Sequence, residues 1–365
     1  MRRISKAFLL VLALFLAPMG CVSENAADSG SSADSADTSP GTGEGDNEDN
    51  PFGDGDTGDG DSGSGDSVNR AARSCPATEG PINPKTTLHI GHSLTDRMAP
   101  LLNHLLESQS GESVDYMYKT ATGTSLTTHW DQPNSNGKGN LSTPPLQALR
   151  TPGLIDVLSM TERLPMHWGK GEDVEAWAGE FLDHSTHPNP EVFIYSTWDQ
   201  RNRGEPDTPE TIQTWLDAFG SWEPIWESFA QRILDEYPNA SVGIIPAGRV
   251  FEELQLRVLE GSLVLPNGLT FRETFFKRNR PGRLGGCAVR DHIHLSRAGI
   301  YTSALTHYAT IYCASPIGLP STIPFPNYDD TCVEAEEVAV DPELAAVIQE
   351  VVWEVVQDYS WAGVD

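Results

Sequence analysis

From residue 86 onward, short runs rich in β-branched and other apolar residues alternate with longer stretches whose apolar positions recur every three to four residues. Thr86 to Ile90 reads as a first strand, and Met98 to Leu106 as the helix after it. Val114 to Tyr118 is a second strand, and Ile155 to Met160 a third, followed by a helix around Val174 to Leu182. Val192 to Tyr195 is a fourth, leading into a helical stretch from Thr211 to Tyr237 that is expected to break near Gly220. Val242 to Ile245 is a fifth, and Gly248 to Leu259 is helical again. This alternation predicts an α/β domain, with a parallel five-stranded sheet covered by helices on both faces in three layers, α/β/α.

Two more helices close the chain. Ser296 to Tyr312 is one, with Ser296 as its N-cap. In the other, Asp341-Pro342-Glu343 has the look of an N-cap, a first-turn proline and an acidic first turn. Leu344, Val347, Ile348, Val351, Val352 and Val355 then recur at helical spacing, so this helix should dock one face on the domain.

The beginning of the chain is patterned differently. Arg2, Arg3 and Lys6 precede an apolar run from Ala7 to Ala17, which is too short for a permanent membrane span and fits the middle of an export signal. It ends in Pro18-Met19-Gly20-Cys21, and a small residue before the first cysteine resembles a bacterial lipoprotein signal. That resemblance implies lipidation of Cys21, export, and anchoring at a bacterial membrane in the cell envelope; Pro18 departs from the leucine usual in such signals. Residues 22–74 are Ser, Asp, Gly and Thr with few large apolar side chains, and cannot bury enough surface to offset ordering entropy. They are expected to form a disordered acidic tether spanning about 40 Å. Residues 75–365 are then one domain with a substantial core.

Charge narrows the partners. The chain carries −28; setting aside the +3 of the signal and the −11 of the tether leaves −20 on the domain. Such a surface repels phosphate backbones, and without a basic stripe nucleic acid is not an expected partner. Besides Cys21 there are Cys75, Cys287, Cys313 and Cys332, an even count that favours two disulfides in an exported protein. The pairing expected is Cys313 with Cys332 and Cys75 with Cys287.

Catalysis in open parallel sheets sits at the carboxyl ends of the strands. After the first strand comes Gly91-His92-Ser93-Leu94-Thr95-Asp96, which offers a serine hydroxyl at a strand-to-helix turn. Asp96 capping the helix is the plainer use of this turn. Near the end, Arg290-Asp291-His292-Ile293-His294-Leu295-Ser296 supplies a carboxylate and an imidazole three residues apart, the base and orienting acid that a serine nucleophile needs. Gly91 to Thr95, Asp291 to His294, and Ala121-Thr122-Gly123-Thr124-Ser125-Leu126 after the second strand together resemble the SGNH/GDSL hydrolases, whose fold is flavodoxin-like.

The resemblance implies a serine esterase with Ser93, His294 and Asp291 as its triad and no cofactor. It implies an oxyanion hole built from the backbone N–H groups of Ser93 and Gly123. The third donor in that family is an asparagine after the third strand; here the stretch is Ser159-Met160-Thr161-Glu162-Arg163, and Thr161 is the expected substitute. Losing such a donor costs about 3 kcal/mol of transition-state stabilisation.

Other uses of these residues are weaker. His292 and His294 form a pair that could bind zinc, but the spacing of His129, His167 and His184 gives no reason to complete the site, so no metal is expected. His92 should point away from the nucleophile. Trp130, Trp168 and Trp198 each follow a predicted strand end and are expected to line the site, stacking on sugar rings or acyl chains. The expected substrate is a small-molecule or glycan ester, with removal of acetyl groups from extracellular carbohydrate in view. A non-catalytic carbohydrate-binding or scaffold protein on a degenerate hydrolase fold is the alternative.

Overall fold

The computed structural model describes residues 73–78, 82–129, 138–163, 172–201, 207–278, 290–322 and 340–365. The signal, Cys21, most of the tether, Trp130, Trp168, His167, Cys287 and Cys332 lie outside these residues.

The strands form where β-branched and aromatic residues gather between polar turns. They are β1 (Thr87–Gly91), β2 (Tyr116–Thr120), β3 (Lys138–Gly139), β4 (Val157–Met160), β5 (Glu191–Tyr195) and β6 (Ser241–Ile245). Their order across the sheet is β3-β2-β1-β4-β5-β6. Five strands run parallel, as the alternation predicts; β3 adds a two-residue antiparallel edge through Lys119 and Thr120. Strand β1 lies between β2 and β4, so successive connections leave it in opposite directions. This is the switch point at which open α/β sheets carry their ligands.

Helices cover both faces. α1 (Met98–Ser110), α5 (Ala247–Glu260), α7 (Arg297–Tyr312) and α8 (Pro342–Asp358) pack with one another, while α2 (Pro145–Leu149), α3 (Glu172–His184) and α4 (Pro209–Glu236) form a second group. The long helix α4 runs unbroken through Gly220 and Pro224, against the expected interruption. Trp215, Phe219, Trp222, Trp226, Phe229 and Ile233 bury one of its faces, and that burial outweighs the intrinsic cost of a helical glycine or proline. Among the described residues no helix is long and apolar enough to cross a membrane.

Helix α7 is the centre of its layer, with every residue from Gly299 to Tyr312 buried. Ser296 caps it by accepting from the Gly299 N–H at 3.3 Å. Asp341 caps α8 through the N–H groups of Glu343 and Leu344, each at 3.1 Å. α8 buries Leu344, Ile348, Val351 and Val352, the stripe its spacing predicts.

The first and last described segments meet at the amino-terminal side of the sheet. The Cys75 N–H donates to Gly363 at 2.9 Å, and the Asp365 N–H returns to Cys75 at 3.1 Å. Arg73, which composition groups with the acidic tether, is only 6% exposed. Its guanidinium bonds the carbonyls of Thr310, Ile311 and Ala362 and the carboxylate of Glu191 at 2.7 to 3.2 Å.

Cys75 is joined to Cys313, which replaces both expected pairings, Cys75 with Cys287 and Cys313 with Cys332. Residues 238 apart in sequence become neighbours because the entering chain pairs with the segments that follow α7 and α8.

Candidate active site

At the carboxyl end of β1 the chain turns before α1 begins. The Thr95 N–H closes this turn onto the His92 carbonyl at 3.0 Å. Asp96 does not cap the helix: Arg97 occupies that position without a side-chain cap, and the Asp96 carboxylate pairs with Lys138 at 2.8 Å. Ser93 is partly exposed within the turn.

The opposing residues come from β8 (Arg290–Leu295), which pairs antiparallel with β7 (Phe276–Arg278) immediately after the short helix α6 (Phe271–Phe275). Ser93 Oγ lies 2.9 Å from His294 Nε2, across 201 residues of sequence. The other ring nitrogen of His294 is 3.1 Å from both carboxylate oxygens of Asp291. One hydrogen-bonded line therefore runs from hydroxyl to imidazole to carboxylate, with Nδ1–H donating to Asp291 and Ser93 Oγ–H donating to Nε2.

Asp291 also accepts the backbone N–H groups of Ile293 and His294, each at 2.9 Å. Burial alone would raise its pKa. The hydrogen bond and charge of His294, with the two backbone donors, outweigh burial and hold the carboxyl well below the usual carboxylate range. It is an anion throughout the neutral range.

Two further histidines support the serine turn from below. His92 is buried, its Nδ1 facing the Leu94 N–H at 3.4 Å and its Nε2 the Glu162 carbonyl at 3.3 Å. Burial pushes it down to about 4, against the pull of that carbonyl and with the nearby charges of His294 and Arg163. His129, on the short turn Leu126–His129, is fully buried and donates from Nε2 to the Gly91 carbonyl at 2.8 Å. Burial lowers it to about 4 as well. Both rings are neutral scaffolding.

Gly91 must be glycine, because a Cβ there would stand 2.5 Å from the Thr161 methyl and 2.7 Å from Thr95 Oγ1. Gly123 follows β2 with φ of +66°, a conformation that favours glycine. Its carbonyl accepts from the Arg163 guanidinium. Thr161 is buried at the end of β4, its methyl toward Gly91 and its hydroxyl 3.5 Å from the Glu162 carbonyl.

Trp198 departs from expectation. It is 1% exposed, packs edge-on against Phe251 at 4.7 Å, and donates from Nε1 to the Ile293 carbonyl at 2.9 Å. It is therefore a buried strut under β8 and does not line the rim. Its neighbour Arg201 adds a second strut, donating its backbone N–H to the His292 carbonyl at 2.7 Å. The Arg201 guanidinium is locked between Asp207 and Gln255 and stacks over Trp215 at 4.2 Å. Arg201, Glu162, Arg163 and His129 complete the site without having been singled out for it in the sequence. The signal available was position: charged residues directly after β4 and β5, at the sheet end where chemistry gathers. His292 carries its Nδ1 3.7 Å from Asp291 Oδ1.

No family model matches the chain, and no curated protein matches it. Solved structures similar at low identity include the following three. A DUF4886 family protein from Bacteroides uniformis is 16% identical over 76% of this chain and 96% of its own, with a TM-score of 0.47. A candidate SGNH hydrolase from Slackia heliotrinireducens is 16% identical over 63% of this chain and 100% of its own, with a TM-score of 0.36. A mutant acetyl-xylooligosaccharide esterase from Geobacillus is 12% identical over 64% of this chain and 95% of its own, with a TM-score of 0.35.

Proposed function

We propose that this chain is a serine hydrolase of carboxylic esters, with Ser93 as nucleophile, His294 as general acid–base and Asp291 as the orienting anion. The observation that carries this reading is the unbroken line Ser93 Oγ to His294 Nε2, and His294 Nδ1 to Asp291, at hydrogen-bond distances throughout. A serine, a histidine and a buried aspartate converging from residues 93 and 291–294 at a sheet switch point fit nucleophilic catalysis better than a structural role.

In the first half-reaction Ser93 Oγ attacks the ester carbonyl carbon while its proton passes to His294 Nε2. The π pair moves onto the carbonyl oxygen, giving a tetrahedral oxyanion. Asp291 stabilises the imidazolium that has formed and keeps its Nδ1–H oriented. The oxyanion collapses, the bond to the alcohol oxygen breaks, and His294 returns the proton to the departing alcohol. Water then repeats the sequence on the acyl-enzyme, which releases the acid and restores Ser93. The N–H groups of Ser93 and Gly123 are the oxyanion donors in this reading.

Acetyl esters of extracellular carbohydrate are the proposed substrates. They accord with an exported chain tethered by residues 22–74 and lipidated at Cys21, which is part of the same proposal. The test is hydrolysis of an aryl acetate by purified protein, with a fluorophosphonate as active-site label. Hydrolysis and stoichiometric labelling are expected from the wild type and neither from Ser93→Ala. Equal rates in the two proteins sink the reading.

A further inference from the structure

The oxyanion site expected from the sequence has a gap, since no asparagine follows β4. Thr161 is poorly placed to fill it: its methyl packs toward Gly91 and its hydroxyl has the Glu162 carbonyl at 3.5 Å. The next two residues do something different. The Glu162 side chain, in a residue 2% exposed, reaches back 36 residues to accept the Leu126 N–H at 3.2 Å. Its other oxygen accepts the Arg163 N–H at 2.6 Å, and its carbonyl takes the His92 ring at 3.3 Å. One residue thus ties the loop after β2 and the turn of the nucleophile to the end of β4.

Arg163 completes the tie. Its guanidinium donates to the carbonyl of Gly123, and a Cβ built on that glycine would meet the guanidinium carbon at 3.7 Å. The cation therefore lies against the glycine whose N–H is the expected oxyanion donor, and its charge is felt at His92, beside Ser93. A fixed cation beside a developing anion in a partly buried site is a strong stabiliser, because little water reorganises around it.

We propose that Arg163 is the positioning residue of the oxyanion site: it fixes the Gly123 peptide at φ +66° and holds a positive charge beside it, in the place of the absent asparagine. Glu162 anchors the same loop through the Leu126 N–H. The proposal rests on the serine hydrolase reading and deepens it. As the Ser93 Oγ–carbon bond forms and the carbonyl π pair moves to oxygen, the new negative charge develops next to the Gly123 N–H and the field of Arg163. The charge is lost again when the tetrahedral species collapses. Because the effect belongs to the transition state, it falls on kcat and leaves KM nearly alone.

The experiment compares wild type, Ser93→Ala, Arg163→Met, Arg163→Lys and Glu162→Gln. For each it measures kcat and KM on an aryl acetate, the rate of fluorophosphonate labelling, and the thermal midpoint. Arg163→Met is expected to lower kcat and the labelling rate together by roughly 100- to 1,000-fold with KM changed less than about threefold. Arg163→Lys, which keeps the charge, is expected to recover at least tenfold of that loss. Glu162→Gln, which keeps the shape of the anchor, is expected to fall between them. If Arg163→Met holds kcat within threefold of wild type while Ser93→Ala is inactive, the Arg163 proposal fails and the hydrolase reading survives. A loss confined to KM, or equal losses in the Lys and Met variants, also overturns it. Should Arg163→Met not fold, Arg163→Lys and Glu162→Gln decide, and wild-type kcat in both counts against the proposal. Activity retained in Ser93→Ala overturns both.

Discussion

The backbone N–H of His294 donates to Asp291 Oδ1 at 2.9 Å, while the ring Nδ1 of the same histidine stands 3.1 Å from both oxygens of that carboxylate. One anion therefore sets the backbone and the ring of the proposed base together. The three-residue spacing of acid and base lets the one carboxylate reach both.

Replacing the anion with its amide keeps the shape and removes the charge. Asp291→Asn is expected to lower kcat on an aryl acetate by roughly 10⁴-fold, because an amide neither stabilises the imidazolium nor holds the tautomer. Steady-state kinetics on the purified variant check this; a loss of less than tenfold would mean that Asp291 is not the orienting acid.

Acid should weaken the fold before Asp291 is protonated. His89, at the centre of β1, is 1% exposed, with no hydrogen-bond partner on either ring nitrogen among the described residues. It meets the ring of His307 at 5.8 Å, and His307 meets Tyr195 at 4.4 Å. Burial lowers His89 from its ordinary 6.5 to about 4, and His307 well below its ordinary value. Both pKa values are depressed in the folded state, so as pH falls the unfolded chain takes up protons first. Stability is full above about pH 7 and is lost progressively between about 6.5 and 4, with His89 alone worth about 3 kcal/mol over that window. Urea unfolding at pH 7.5 and 4.5 measures the loss. His89→Leu is expected to show a shallower fall than wild type, and equal falls would refute the assignment.

The strut beneath β8 can be cut without opening a large cavity. Trp198→Phe keeps an aromatic ring against Phe251 and removes the donor to the Ile293 carbonyl. The expected cost is about 1–3 kcal/mol, the range for leaving a buried carbonyl without its partner. A fall in kcat of about tenfold should accompany it as His294 loses registration. Thermal melts and kinetics together test this: a destabilised variant with unchanged kcat would show that Trp198 supports the core and not the site.

Cys75 and Cys313 close a covalent loop across 238 residues. Loop-closure entropy assigns such a link about 5.5 kcal/mol, so reduction or the double serine variant should lower the urea midpoint markedly. Peptide mapping under non-reducing conditions is the direct check. A Cys75–Cys313 peptide is expected, whereas a Cys75–Cys287 or Cys313–Cys332 peptide would contradict the fold at the chain ends.

Much of this molecule can be read along the chain, and the reason is the range of the forces involved. Strand and helix periods, the caps at Ser296 and Asp341, and the docked stripe of α8 are set within a few residues, so they appear in the sequence as they do in the fold. Ser93, Asp291 and His294 were visible as well, because a strand end is a local feature and an acid three residues before a base is a local spacing. What joins 93 to 294 is not local. Nor are the partner of Cys75, the inward turn of Trp198, or the reach of Arg163 to Gly123; each depends on which surfaces pack after the sheet has assembled. Helix α4 shows the same division, since Gly220 argues for a break that burial of five tryptophan and phenylalanine rings overrules. The sequence determined the elements and the residues offered at their ends. Tertiary packing decided which of those residues meet, because the energies that choose partners come from burial across hundreds of residues and leave no periodic trace in the chain.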